Sequence, residues 1–157
     1  MSGFNKSVLI PAGITKDFVL KYTDSANLKA ILTSPTNIDY TNDRFPVSEF
    51  PDGLKIEFFD NKEGVTTVSS DYGIVYYLTR IVSLSGNVLI KSPDSTILKS
   101  EQIYWDPELE WLFSEKNIEF TSKDYSIRAK KLDADRSFKV LKTGKLDGSF
   151  LFKEKEL

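Results

Sequence analysis

The sequence contains no cysteine and no histidine. Without cysteine there is no disulfide, thiolate nucleophile, zinc ribbon, iron–sulfur cluster or lipoprotein cysteine. Without histidine the commonest general base, the usual transition-metal ligand and the Ser-His-Asp triad are missing. Catalysis would have to run on carboxylates, lysine, tyrosine or serine alone, so the composition leans toward a binding or structural domain. No run approaches the ~18 consecutive apolar residues of a membrane helix. The patch Val8-Leu9-Ile10 before Pro11 is too short for a signal-peptide core. Charge of one sign is lacking too: 21 Lys and Arg against 23 Asp and Glu leave a net −2. No global field therefore draws in nucleic acid or an anionic membrane.

What is present fits a globular chain. The 157 residues suffice for one domain, and a fold of this size buries roughly 70% of its unfolded surface. Hydrophobic residues make up 40% and charged residues 28%, a balance in the globular range that argues against a disordered chain. Aromatics are plentiful, with eleven Phe, seven Tyr and two Trp. The reading is a single domain over 1–157, with 1–15 as an N-terminal extension that is either disordered or left over from expression.

The dominant period is two. Leu54-Lys55-Ile56-Glu57-Phe58, Ile118-Glu119-Phe120 and Ser126-Ile127-Arg128-Ala129 alternate as half-buried strands do. Turn signals recur between such runs, at Thr23-Asp24-Ser25, Phe50-Pro51-Asp52-Gly53, Asp60-Asn61-Lys62-Glu63-Gly64, Ser92-Pro93-Asp94 and Asp147-Gly148. With strands of ~5–6 residues there is room for about a dozen or more, which predicts an all-β architecture. Asp106-Pro107-Glu108 carries the cap, proline and early acids of a helix start. Asp106-Pro107 is also a good type I turn opening, and strand-like flanks favour turn-then-strand through Phe113.

Apolar alternations begin near Phe18, Leu54, Val88, Ile118 and Phe150, at spacings of 36, 34, 30 and 32 residues. A second strand follows each of the first four: Leu28-Lys29-Ala30-Ile31, Val65-Thr66-Thr67-Val68, Ile97-Leu98-Lys99-Ser100 and Tyr125-Ser126-Ile127-Arg128. Weak repeats of this length predict stacked supersecondary units, none of which buries its apolar face alone. Such a stack has two end strands whose unpaired backbone groups can recruit another chain.

Gly86-Asn87-Val88, a turn, and then Ile97-Leu98-Lys99-Ser100-Glu101-Gln102-Ile103-Tyr104-Trp105-Asp106 resembles the "GNV … L-t-t-e-x-L-x-[YW]-D" signature of the LptC/OstA-like family. Ile118-Glu119-Phe120, Tyr125 to Leu132 and Lys145-Leu146-Asp147-Gly148 continue the pattern, with Ala129 where a glycine is expected. Phe50-Pro51-Asp52-Gly53 resembles the "FP-x-G" strand of versions from Bacteroidetes-like bacteria. The resemblance runs from about Lys16 to Phe152. It implies an open, twisted β-jellyroll of antiparallel strands in the periplasm, inner-membrane associated through an anchor that this chain does not carry. It also implies binding of lipopolysaccharide through its lipid A acyl chains, received from the inner-membrane ABC transporter and passed to a periplasmic LptA-like protein. No cofactor and no chemistry on the lipid are implied.

By strand parity, candidate groove residues are Ile56, Phe58, Val88, Ile90, Ile103, Trp105, Leu109, Trp111, Phe113, Ile118, Phe120, Ile127, Phe138 and Val140. On that parity Trp111→Glu should weaken lipid capture. The candidate partner edge is Phe150, Leu151 and Phe152, within a C-terminal stretch from Lys145; the N-terminal end would pair with the transporter. The alternatives are a soluble LptA-like bridge and a closed structural or adhesive sandwich without lipid, since a groove and a core ask for the same alternation. Arg128, Lys130, Lys131, Lys142 and Lys145 read as a solvated basic face rather than a phosphate site. The acids Asp106, Glu108, Glu110, Asp133 and Asp135 give no glycosidase pair across a cleft, and Asp133-Ala134-Asp135 is too sparse for a calcium loop.

Overall fold

The computed structural model describes residues 10–60, 64–135, 141–143 and 146–150, and among them the chain forms fourteen strands and no helix. In chain order these are β1 (Gly13–Asp24), β2 (Asn27–Asp39), β3 (Val47–Phe50), β4 (Leu54–Asp60), β5 (Gly64–Ser70), β6 (Tyr72–Tyr76) and β7 (Val82–Lys91). They continue as β8 (Ile97–Asp106), β9 (Trp111–Ser114), β10 (Ile118–Thr121), β11 (Tyr125–Ala129), β12 (Leu132–Asp135), β13 (Leu141–Thr143) and β14 (Leu146–Phe150). All pair antiparallel in one sheet. β1 begins inside the stretch assigned to an extension. At Asp106 the turn-then-strand reading holds, with a turn over 107–110 and then β9.

The sheet is folded along a crease into two leaves. The long strands β1, β2, β7 and β8 run through both. β2, for example, pairs with β4 through Ala30–Thr33 and with β3 through Ile38–Asp39. The remaining strands come as consecutive halves of bent passes: β3 with β4, β5 with β6, β9 with β10, β11 with β12, and β13 with β14. Leaf 1 holds β4, β5, β10, β11 and β14; leaf 2 holds β3, β6, β9, β12 and β13. Each pass pairs with the one before it, so the chain is a simple meander of bent passes. Its ends stay unjoined: among the described strands β1 pairs with β2 alone, and β13 and β14 pair only with β12 and β11. That is an open β-jellyroll.

Local chemistry makes the crease. Asp17 (φ 53°), Gly53 (φ 93°), Gly86 (φ 82°) and Asn87 (φ 48°) take the left-handed backbone, which suits glycine and asparagine. Gly86 and Asn87 form a bulge in β7, where Ser85 pairs with Gln102 but Val88 with Ser100. Asp71 clamps that bulge: its N–H donates to the Gly86 carbonyl at 2.8 Å, and its carboxylate accepts from Asn87 at 2.6 Å. Pro35, inside β2, removes a ladder donor, and the β1–β2 register skips from Lys16↔Thr36 to Phe18↔Ser34 there. A bend strands carbonyls that the ladder would have paired, and buried serines supply donors for them. Ser34, Ser70 and Ser100 each donate to the carbonyl two residues on, Thr36 at 2.9 Å, Tyr72 at 2.9 Å and Gln102 at 3.0 Å. Ser34 and Ser100 also reach the neighbouring pass, at the carbonyls of Gly53 (2.6 Å) and Asn117 (3.1 Å). Phe18, Leu54, Val88 and Ile118 sit at the crease, with Val88 opposite Ser100 and Ile118 opposite both Ser100 and Ala129.

Two expectations are corrected. Asp147-Gly148 does not turn: both lie inside β14, paired with Arg128 and Ile127. A glycine interrupts a strand only weakly where the partner strand supplies the ladder. The other concerns β9. Tyr104 pairs with Phe113, Trp105 with Leu112 and Asp106 with Trp111. Partners share a face, so Leu112, buried like Trp105, points inward, while Trp111 and Phe113 point out. The 107–110 turn, with Glu110 at φ 54°, reverses the parity that a continuous strand would have kept.

Candidate functional site

Between the leaves lies one apolar interior. Leaf 1 contributes a continuous inward row across its strands, Leu20–Leu32–Ile56–Val68–Ile90–Leu98–Phe120–Ile127. Leaf 2 answers with Ser48–Val75–Val82–Trp105–Leu112. Full burial of a side chain of this kind contributes about 1.5–3 kcal/mol, so the two rows account for much of what holds the leaves together. They meet where Phe58 of leaf 1 packs edge-on against Trp105 of leaf 2, ring centroids 4.6 Å apart.

Of the candidate groove residues, Ile56, Phe58, Val88, Ile90, Ile103, Trp105, Ile118 and Phe120 belong to this interior and are buried in one cluster. Ile127 continues the inward row half-buried. Leu109 is corrected outward: it is 73% exposed in the turn after β8. Trp111 and Phe113 lie on the outer face of leaf 2, where Phe113 stacks on Tyr104 and the Trp111 Nε1–H donates to Asp133. Trp111→Glu therefore tests the outer face and not the interior. Phe138 and Val140 lie outside the described residues, as do Leu151 and Phe152 of the partner edge. Phe150 is the last residue of β14.

Parity reading from the sequence missed Leu32, Phe50, Val68, Val75, Leu84, Leu98 and Leu112, all buried. Alternation around Lys29-Ala30-Ile31-Leu32 and Leu98-Lys99-Ser100 carries the signal for the leaf 1 members. Also missed is the part played by β1. Its Phe18, Leu20 and Tyr22 are half-buried and close one end of the interior, Phe18 against Phe50 at 5.4 Å and Tyr22 against Trp105 at 5.3 Å. Behind them is a cavity of about 800 Å³, walled by these three residues with Phe50, Phe58 and Trp105, and rimmed by Lys29, Arg80, Glu108 and Glu110. Burial raises the Tyr22 hydroxyl to about 12, with a smaller push from Tyr77, so the ring enters the cavity wall as a neutral phenol.

Several of the charged candidates have structural employment. Asp106 Oδ1 accepts from the N–H groups of Glu108 (3.0 Å) and Leu109 (3.2 Å), which shapes the turn. Glu108 pairs with Arg80 at 3.4 Å on the surface. Arg128 pairs with Glu119, and Lys131 with Glu115, each at 3.6 Å. Arg128 and Lys130 line a hollow of about 760 Å³ in which charges of both signs, Lys99, Glu101 and Glu119, stand beside the apolar Val88, Ile118 and Ala129. Among the described residues no His, Cys, Asp or Glu cluster is placed to hold a metal ion, and no helix is long and apolar enough to cross a membrane.

The sequence profile of the lipopolysaccharide-assembly, LptC-related family matches residues 20–142. The chain belongs to this family. A search among curated proteins finds no match. LptC-related proteins serve lipopolysaccharide transport at the periplasmic side of the inner membrane and are not a family of enzymes. The matched span opens at Leu20 in β1 and closes in β13, so it takes in the interior rows and all of the crease and the cavity except Asp17 and Phe18. The Gly86-Asn87-Val88 motif of this LptC-related chain has a physical basis: the first two residues form the β7 bulge and the third starts the inward row after it.

Proposed function

We propose that the chain is a periplasmic lipopolysaccharide carrier associated with the inner membrane. It takes the lipid A acyl chains between its leaves, from the ABC transporter, and hands them to an LptA-like jellyroll. The observation that carries this reading is the leaf 1 inward row, apolar through eight strands and running between two unjoined ends. Each acyl CH₂ buried there gains about 0.8 kcal/mol. A smooth apolar wall holds a chain without fixing it, which suits transfer. Among the described strands the outer edges of β1 and of β13 with β14 have no strand beside them, and such edges offer backbone donors and acceptors for strand addition by neighbouring jellyrolls.

A specific contact favours the second reading, a closed structural domain: Phe58 and Trp105 touch across the leaves, and the inner residues are buried against one another. The carrier reading requires the leaves to part there. Photocrosslinking to purified lipopolysaccharide separates the two. A photoreactive residue at Phe58, Leu112 or Phe120 should crosslink, and one at Lys99 or Phe113, on the outer faces, should not. Absence of crosslinks from all three inner positions in the folded protein would leave the closed domain standing.

A further inference from the structure

Trp105 is the anomalous residue of the interior. It is 3% exposed, and its indole Nε1–H is buried with no acceptor among the described residues. Native interiors rarely leave a donor in that state, and an indole can only donate. Other buried polar groups nearby are satisfied: Asn37 donates to Ser48, and the crease serines reach carbonyls. The unpaired donor belongs to the ring that lines the 800 Å³ cavity, a volume within the range of small-molecule sites, which are apolar walls with a few placed polar groups.

Two rings cover Trp105. Phe58 is anchored in β4, between β2 and β5. Tyr22, edge-on at 78°, stands on the end strand β1, beside the register irregularity between Tyr22 and Thr23. Tyr22 is thus the cover held by the fewer constraints.

We propose that this cavity is a subsite for the ester carbonyl of an acylated lipid: with Tyr22 turned aside, the Trp105 Nε1–H donates to the carbonyl oxygen while the hydrocarbon lies along Phe18, Leu20 and Phe50, which wall it. The proposal rests on the carrier reading and adds to it a fixed point. Apolar burial has no direction, so a chain in such a trough is free to slide; one donor sets its register, and one neutral hydrogen bond is weak enough to let go. An ester carbonyl accepts and does not donate, which matches a wall with one unpaired donor. A peptide strand would bring N–H groups of its own into hydrocarbon.

The test uses an ester-linked lauroyl lysophosphatidylcholine and the ether-linked lysolipid of the same chain length, both below their micellar concentrations. The chain has two tryptophans, so Trp111→Phe, a change on the outer face, leaves Trp105 as the reporter. In that protein the ester lipid should bind roughly two- to tenfold tighter than the ether lipid, the worth of one net hydrogen bond, and should shift the Trp105 emission. In Trp105→Phe, followed by calorimetry, the preference should vanish while ether-lipid binding stays. Equal binding of the two lipids by the Trp111→Phe protein, which needs no change at Trp105, overturns the subsite and leaves the trough. A preference that survives Trp105→Phe overturns it as well. Binding of neither lipid removes the trough and the subsite together.

Discussion

The two leaves bury the same kind of inner face and turn opposite outer faces to water. Across the outside of leaf 1 runs Thr33–Lys55–Ser69–Leu89–Lys99–Glu119–Arg128, and beside it Lys21–Ile31–Glu57–Thr67–Lys91. Across the outside of leaf 2 runs Ile38–Glu49–Ile74–Ser83–Tyr104–Phe113. Leaf 1 is a charged, solvated surface whose order depends on its inner side. Leaf 2 has a second layer of contacts outside: Phe113 stacks on Tyr104, Gln102 donates to the Tyr104 hydroxyl at 2.9 Å, and Tyr72 bonds Glu49. Desolvation, and after it the hydrogen bond to Glu49, raises the Tyr72 hydroxyl well above its usual range. Leaf 2 is thus the better braced of the pair. If the leaves part to admit a chain, leaf 1 and the β1 strand at its end are the side expected to move.

The sharpest break of that comparison is within leaf 1 itself. Leu98 is fully buried and Lys99, its neighbour in β8, faces water. Leu98→Ala should cost about 2–5 kcal/mol through lost burial and the cavity it leaves, and Lys99→Ala should stay within about 0.5 kcal/mol. Urea unfolding of the two variants measures the difference. Comparable losses would mean that the outer face of leaf 1 carries structural weight that its exposure does not suggest.

The crease belongs to both leaves and should come next in size. An alanine at Gly86 must adopt φ +82° and brings its Cβ to 3.0 Å from the Cβ of Asp71. The expected loss is about 1–2 kcal/mol from the left-handed backbone. Gly13→Ala, with nothing within 4 Å of its Cβ, should cost nothing measurable. A Gly86→Ala protein as stable as the parent would show that the β7 bulge can relax, and that the leaves are joined less rigidly than the Asp71 clamp implies.

The same difference between the leaves decides what the sequence discloses. Alternation reads correctly where the outer face is charged: Lys55 and Glu57 mark the two sides of Ile56, and Glu119 separates Ile118 from Phe120. At Trp111-Leu112-Phe113 both faces are apolar, so nothing in the run says which side is out. The answer lies in a four-residue turn that pairs Trp105 with Leu112. The glycine and serine positions of the crease are visible in the sequence, but their work is done by bonds between passes, such as Ser34 to Gly53. The cavity behind β1 and the unpaired Trp105 donor depend on how far apart the leaves stand, which no period along the chain encodes.

The smallest expected effect separates the two outer faces by chemistry. The Tyr104–Phe113 stack, with centroids 5.1 Å apart and planes at 23°, should show a coupling of about 0.5–1.5 kcal/mol in a double-mutant cycle. The Glu119–Arg128 pair on leaf 1 has side chains 42% and 74% exposed at 3.6 Å, and such pairs couple by about 0–1 kcal/mol. Salt tells them apart. At 1 M ionic strength the screening length falls to roughly 3 Å, so the ion-pair coupling should disappear while the ring stack persists, since its attraction does not rest on net charge. Loss of both couplings in salt would reduce leaf 2 to an ordinary polar surface and erase the asymmetry between the leaves.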